Sequence, residues 1–404
     1  MQPLTRRSFL TGIAATTGSL ALRSPAQTGP TSKSAYNLVA RVDRERIVAA
    51  ARQYLKEKPI TVTASHSPRS EGGPHDYFSE GDYWWPDPKN PAGPYIRRDG
   101  FSNPANFNDH REALIRLSVQ APTLAAAWRL THDPRYLRHF ALHLHAWFVD
   151  PATRMNPNLE YAQAITGVTR GRGIGVIDTL QLVDVVRALR VVDTLGGLPK
   201  DEIEPIRAWF AGYVDWMATS KNGKEEEEAK NNHGTCWVLQ MAEFSQFARR
   251  PDMTTLCRER FKTLLVPGQI AADGSLPQEL ARTKPYSYSL FDADVFAGLC
   301  QSLSTSSEDL WQFKGPNGAG VATAIAFLYP AIADKAKWSY PRDVEYFDDF
   351  PSRRPCLLFA GEAAHRPEYL ATWQRLDASP TVLEVIRNLP IRQPLLWVDP
   401  VLSA

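Results

Sequence analysis

The chain has 404 residues, 43% of them hydrophobic and 22% charged, which allows a sizeable buried core and excludes a disordered or low-complexity protein. A formal net charge of +2 excludes a general nucleic-acid binder, so any contact with a polyanion must come from a local basic cluster. Four cysteines occur without a CxxC pair, so no zinc ribbon or thioredoxin-like motif is encoded.

Residues 1–26 read as a leader. Thr5-Arg6-Arg7-Ser8-Phe9-Leu10 is a twin-arginine signature, the apolar stretch 13–22 is too short to span a bilayer, and Ser24-Pro25-Ala26 ends in a small residue suited to cleavage. The expected mature protein, 27–404, is a single domain in the periplasm or outside the cell. No second apolar stretch is long enough for a membrane helix, so no membrane insertion of the mature chain is expected. In that compartment disulfides are permitted, but Cys236 falls within a helical pattern and reads as a buried thiol.

A helix is predicted over 43–58, ending before Pro59. Residues 66–108 are rich in Gly, Pro and aromatics and form a long loop region, a common place for function. Within it Gly81-Asp82-Tyr83-Trp84-Trp85-Pro86-Asp87-Pro88 places Tyr83, Trp84 and Trp85 as candidates for stacking on a sugar face. Amphipathic helices follow over 112–130 and 134–148. His139 and His143 are one turn apart, but no carboxylate or cysteine completes a ligand set, so a structural role is expected and no metal site is assigned. The loop 155–163 contains Asn158. After it, Arg170-Gly171-Arg172-Gly173 offers Arg172 to a carboxylate, and its spacing does not form a dinucleotide fingerprint. Helices over 178–195 and 201–219 precede Glu225-Glu226-Glu227-Glu228, which reads as a solvated face or a mobile loop.

Two segments carry the chemistry. His233, Trp237, Met241, Phe244 and Ala248 share a helical face, and Asn232 stands where an N-cap belongs, next to Asn231. A helix N-terminus carries free N–H groups and partial positive charge, which suits a carboxylate. Downstream, Glu279-Leu280-Ala281-Arg282 leads to Tyr286 and Tyr288. Pro285 argues against a helix there. In an extended strand Arg282, Lys284, Tyr286 and Tyr288 would share one face, where the cations would lower the phenol pKa values. Helical patterns resume over 288–303 and 318–328. Trp311, between them, is a candidate for the cleft rim. The tail after residue 340 reads as Pro-rich and irregular, with one short helix over 367–376. Paired helices dominate and strands are few.

Asn231-Asn232-His233, Glu279-Leu280-Ala281-Arg282, Tyr288, the 81–88 segment and Asn158-Leu159-Glu160-Tyr161-Ala162-Gln163 together resemble the alginate lyase superfamily, nearest to polysaccharide lyase family 38 and more distantly family 5. The resemblance spans residues 60–330. It implies an all-α fold, an (α/α) toroid of antiparallel helix pairs with long loops over the cleft. It also implies a lyase that cleaves 1,4-linked uronic acid polymers, alginate or glucuronan, by β-elimination without a metal or other cofactor. On this reading Asn232, His233, Arg282 and Tyr288 are catalytic, and Tyr83, Trp84, Asn158, Arg172, Asn231, Tyr286 and Trp311 contact the acidic polysaccharide. Two other classes fit the same helices. An (α/α) glycosidase would need two carboxylates, with Glu279, Asp82, Asp292 and Asp294 as candidates. A non-catalytic binder would use Trp84, Trp85 and Arg172.

Overall fold

The computed structural model describes residues 32–402; the expected leader, 1–26, lies outside them. Helix α1 (Ser32–Tyr54) opens the described chain, eleven residues ahead of the predicted start. The loop region that follows holds three short strands, β1 (Phe78–Glu80), β2 (Trp84–Trp85) and β3 (Ile96–Arg97). Helices α2 (Asp109–Thr131) and α3 (Pro134–Phe148) come next. Asp133 caps α3 by accepting the Arg135 N–H, and Pro134 occupies the first turn, where a missing N–H costs nothing. Strand β4 (Tyr161–Ala164) pairs parallel with β1, and β2 pairs antiparallel with β3. A run of 3-10 turns (Gly173–Gln181) feeds α4 (Leu182–Thr194), then α5 (Lys200–Thr219), α6 (Lys221–Glu227), α7 (Asn232–Phe247) and α8 (Pro251–Arg260). The remaining helices are α9 (Val266–Gln269), α10 (Pro277–Leu280), α11 (Pro285–Leu303), α12 (Val321–Ala333), α13 (Pro355–Ala363), α14 (Pro367–Arg375), α15 (Leu383–Arg387) and α16 (Pro394–Trp397).

The fold is all-helical, as the periodicity and the resemblance imply. Helix packs on helix in chain order: α2 against α1, α3 and α4; α7 against α4, α5, α8 and α11; α11 against α12 and α13. Helices α7 and α11 sit deepest. Cys236, Trp237, Val238, Leu239, Met241, Ala242 and Phe244 are all buried, so α7 is apolar around most of its girth rather than along one stripe. The buried charge on that helix is paired: Glu243 takes Arg187 and Arg190 at 3.3 and 2.8 Å. One hydrophobic cluster runs from α1 to α16. All four cysteines are buried and unbridged. No helix among the described residues is long and apolar enough to cross a membrane.

Candidate active site

The short strands and the starts of α7 and α11 meet around a cleft of about 420 Å³. Its walls come from distant parts of the chain. They are the 82–97 loop, Arg111 of α2, Gln163 and Arg172 flanking the β4 turn, Asp178, the first residues of α7, Arg282, Tyr288 and Phe291, and Glu384, Arg387 and Asn388 around α15.

At the start of α7, Asn231 is the N-cap and Asn232 the first helical residue, so the helix begins one residue earlier than expected. Asn231 makes no capping bond through its side chain, which leaves its amide at the cleft. Asn232 is tied from behind: Glu279, fully buried, accepts its backbone N–H at 2.8 Å and its Nδ2–H at 2.5 Å. One amide hydrogen of Asn232 then remains for the cleft. Burial raises the Glu279 pKa, and the two bonds from Asn232 oppose the rise. Asp292 lies beside Glu279, fully buried and with neither oxygen hydrogen-bonded, and its pKa is pushed far up by burial and by the Glu279 charge. The neighbouring residue, His233, is held by Glu226, whose Oε1 lies 2.7 Å from Nδ1. A carboxylate at Nδ1 fixes the proton there, so Nε2 carries the free lone pair. Burial raises the Glu226 pKa and His233 pulls it back. Gly234 follows because a Cβ there would sit 2.1 Å from the Ala229 carbonyl oxygen, where α6 turns into α7.

Across the cleft, Tyr288 and Tyr83 share a hydroxyl–hydroxyl hydrogen bond of 2.5 Å. The Arg282 guanidinium lies 4.8 Å from the Tyr288 ring centroid. Arg282 donates to Asp99 at 3.2 Å rather than pairing with Glu279. Burial raises the Tyr288 pKa; Arg282 and the Tyr83 bond lower it by less. The expectation of a lowered phenol pKa is therefore overturned: desolvation of the charged form outweighs the nearby cation. Both phenols are neutral in the free site.

Five arginines line the cleft: Arg97, Arg111, Arg172, Arg282 and Arg387. Asp82 bridges Arg111 and Arg387 at 2.5 Å each, and despite burial their charges hold its pKa down at about 2. Arg172 donates to the Gln163 carbonyl and to its Oε1, both at 3.0 Å, and stands over the Trp84 ring at 5.9 Å. Its charge has no carboxylate within ion-pair range among the described residues, and burial lowers its pKa, which leaves an unneutralised cation facing the cleft.

Of the residues singled out from sequence, Asn231, Asn232, His233, Arg282, Tyr288, Tyr83, Trp84 and Arg172 all line this cleft. Tyr286, Asn158 and Trp311 do not. The segment 285–288 is the first turn of α11, not a strand, because Pro285 takes the first helical position. Tyr286 therefore turns into the core, donates to the Ala331 carbonyl at 3.0 Å and packs on Trp338 and Phe347. Lys284 is likewise buried, against Glu345 at 3.2 Å and Glu384 at 3.8 Å. Asn158 closes a local turn by accepting the Glu160 N–H. Trp311 is only 8% exposed and belongs to the core.

Sequence reasoning missed Glu226. Only Glu225 and Glu228 of the acidic run are exposed; Glu226 and Glu227 are buried, the latter against Lys224 and Arg260. The usable signal is the spacing of seven between Glu226 and His233, two helical turns interrupted by one bend. Glu384 and Arg387 were missed too, because their short helix lies in a tail without periodicity. Among the described residues no group of three His, Cys, Asp or Glu side chains is arranged to hold a metal ion.

The alginate lyase family model matches residues 61–338. Among solved structures, an alginate lyase from Bacteroides ovatus superposes with a TM-score of 0.78 at 28% identity, over 92% of this chain and 99% of that one. Alginate lyase A1-III, from Sphingomonas species A1, matches as two variants, each complexed with a tetrasaccharide. The histidine-to-alanine variant gives a TM-score of 0.53 over 82% of this chain and 87% of that one, at 14% identity. The tyrosine-to-phenylalanine variant gives 0.52 over 82% and 88%, also at 14% identity, a level that speaks to the fold alone. Comparison with curated protein sequences gives no match.

Proposed function

The chain belongs to the alginate lyase family, and from that premise we propose that it cleaves 1,4-linked uronic acid polymers, alginate or glucuronan, by metal-independent β-elimination. The observation that carries this reading is the pairing, in one arginine-lined cleft, of a carboxylate-oriented histidine with a neutral tyrosine.

The reaction removes the proton on C5 of a uronate, forms the C4–C5 double bond and breaks the C4–O4 bond. The C5 proton becomes removable once the adjacent carboxylate is neutralised. Arg282 and the free amide hydrogen of Asn232 are the donors available for that carboxylate and for the charge that develops on it. His233, with Nδ1–H given to Glu226, offers Nε2 as the base. Tyr288 gives its hydroxyl proton to the leaving O4. This division suits guluronate, whose C5 hydrogen and O4 lie on opposite sides of the ring. Mannuronate and glucuronate share the other C5 configuration, with hydrogen and O4 on the same side. There Tyr288 would act as base and then acid, after losing its proton first, with Arg282 and the Tyr83 hydroxyl supporting the phenolate. Trp84 and Arg172 would hold a neighbouring sugar.

A glycosidase reading is less well supported. Its candidate carboxylates are spent: Asp82 lies between two arginines, Glu279 holds Asn232, Asp294 pairs with Arg354, and Asp292 is sealed in the core.

The test is ultraviolet absorbance of the unsaturated uronate during incubation with polymannuronate, polyguluronate and glucuronan, with chelator present. Tyr288→Phe should abolish the rise while polymer binding persists. Unsaturated product from that variant would overturn the role given to Tyr288, and reducing ends without absorbance would overturn elimination. We also place the reaction outside the cytoplasm, reached by the twin-arginine route, on the pattern at Arg6-Arg7; a wild-type chain retained in the cytoplasm would refute the location, and a lysine pair there that still exports would refute the route.

A further inference from the structure

A second cavity, of about 260 Å³, lies on the far side of the C-terminal wall of the cleft. The short segment 384–394 serves both: Glu384, Arg387 and Asn388 face the cleft, while Ile386, Leu389 and Arg392 face the second cavity. Apart from Val119 and Thr123, its lining falls outside the residues that the family model matches. Nothing in the elimination uses it.

Its polar groups are unbalanced. Arg353 and Arg46 are matched by Asp43, at 2.7 and 3.1 Å. Arg392 is not matched. Its guanidinium donates only to neutral oxygens: Ser118 Oγ at 2.8 Å, the Ile386 carbonyl at 2.7 Å and the side chain of Gln181. Among the described residues its guanidinium has no carboxylate within ion-pair distance, and burial lowers its pKa to about 10. Five atoms of the lining have no hydrogen-bond partner; Asp43 Oδ2 is held in the ion pair with Arg46, and the others are Arg392 Nε, Arg353 Nε, Trp373 Nε1 and Gln393 Oε1. Trp373 is 0% and Gln393 3% exposed, so bulk water does not serve them. That leaves three donors and one acceptor. Buried donors without acceptors are costly, and the half-buried Arg392 cation has near it, among the described residues, only the Asp184 carboxylate, which takes its backbone N–H rather than its guanidinium. Trapped water supplies acceptors but no negative charge. The rest of the wall mixes apolar Pro355, Leu389 and Pro394 with Thr123, Ser379 and Asp377, whose carboxylate accepts the Ser379 N–H.

We propose that this cavity is a second ligand site, for a small carboxylate about the size of one sugar ring. The carboxylate takes the Arg392 and Arg353 Nε–H groups, the Trp373 indole donates to a ring or hydroxyl oxygen, and a ligand hydroxyl donates to Gln393. The site does not depend on the lyase reading.

The test is calorimetric titration of the full chain with d-glucuronate and with d-glucose as the uncharged control. The cleft itself can take d-glucuronate, so the cavity is isolated with Arg282→Ala, which damages the cleft alone. Two variants address the cavity: Trp373→Phe removes one donor and keeps the shape, and Ala50→Trp fills the space; thermal melts check that each folds. The expected result is a d-glucuronate site that survives Arg282→Ala and weakens by about tenfold, the worth of one buried hydrogen bond, in Trp373→Phe. It should disappear in Ala50→Trp, and d-glucose should bind at least about tenfold less tightly. Binding that is lost with Arg282→Ala, or is unchanged in a folded Ala50→Trp, would overturn the proposal. So would equal affinity for the two sugars, or no binding outside the cleft, which would mean that the cavity holds water alone.

Discussion

Replacing Glu226 by glutamine separates the two elimination routes. Glu226 is 1% exposed, and its Oε1 accepts from His233 Nδ1 at 2.7 Å. When His233 takes the C5 proton it becomes a cation beside that carboxylate. At a separation of about 4 Å between charge centres and an effective dielectric near 20, the attraction is about 4 kcal/mol. A neutral amide retains a hydrogen bond but not this attraction, so the loss is roughly 2 to 4 kcal/mol, a fall in rate of roughly thirtyfold to a thousandfold. The loss should appear on polyguluronate, where His233 is the base. Polymannuronate and glucuronan, which use Tyr288, should change far less. The pH profile carries a second signature. Burial raises the Glu226 pKa, so the wild-type enzyme loses polyguluronate activity at a higher pH than an ordinary carboxylate would give; the variant lacks that acid limb. A carboxylate with a raised folded pKa contributes stability below its unfolded pKa and loses it as pH rises through the folded value. At neutral pH the variant should therefore melt no earlier than wild type. Equal slowing on both kinds of polymer, or none on polyguluronate, would refute His233 as the base.

Other residues give independent checks. The Asp82 pKa is lowered from 3.8 to about 2 by Arg111 and Arg387, so its stabilisation is present above the unfolded value and fades as pH falls towards 2. Asp82→Asn should cost about 2 kcal/mol at neutral pH in urea unfolding, and the gap to wild type should close in acid. His143 is 1% exposed with Nε2 unpartnered, and burial, with His139 and Arg116 nearby, lowers its pKa from 6.5 to about 4. A depressed histidine leaves stability intact above the unfolded value and removes it as pH falls from there, up to about 3 kcal/mol by pH 4. Thermal melts of His143→Leu should lose that acid slope; an unchanged slope would assign it elsewhere. A Cβ on Gly81 would meet Trp84 Cδ1 at 2.7 Å and Arg172 Nη2 at 2.8 Å. Gly81→Ala should displace both side chains and raise KM by about threefold to tenfold with little change in kcat, which steady-state kinetics on short oligouronates would show.

The helices were legible wherever one face is apolar, since recurrence at three and four residues needs no tertiary knowledge; α3 and α5 are of this kind. The two ends of the cleft were legible for another reason. Asn231-Asn232-His233 and Arg282 with Tyr288 each lie on one short stretch, so local order keeps them together. Glu226 was hidden by its neighbours. Four consecutive acids read as a solvated face, yet a helix turns any such run, and half of it faces inward. Glu384 and Arg387 were invisible because their place depends on where a non-periodic tail crosses the cleft, some 300 residues from Asp82, the partner of Arg387. No local pattern encodes that crossing.

Tyr286 shows how one backbone assignment moves a whole site. In a strand, residues two apart share a face; in a helix they are turned by about 200°, nearly opposite. Taking 282–288 as extended therefore put Tyr286 beside Tyr288. In the structure Tyr286 donates into the core while Tyr288 meets Tyr83 across the cleft. The deciding residue, Pro285, was read as a helix breaker from the cost of proline in a helix interior. That cost vanishes at the first position, where no N–H is needed and the fixed φ is already helical. The apolar residues Leu290, Phe291, Val295 and Phe296 continue the helix directly after Tyr288. With Pro285 placed at its start, only one of the two phenols can face the cleft, and the choice falls on the one a full turn from Lys284, whose carbonyl accepts the Tyr288 N–H at 3.1 Å. The same turn carries Arg282 over the Tyr288 ring, so the cation–phenol pairing inferred from a strand survives on a helix, with a single tyrosine.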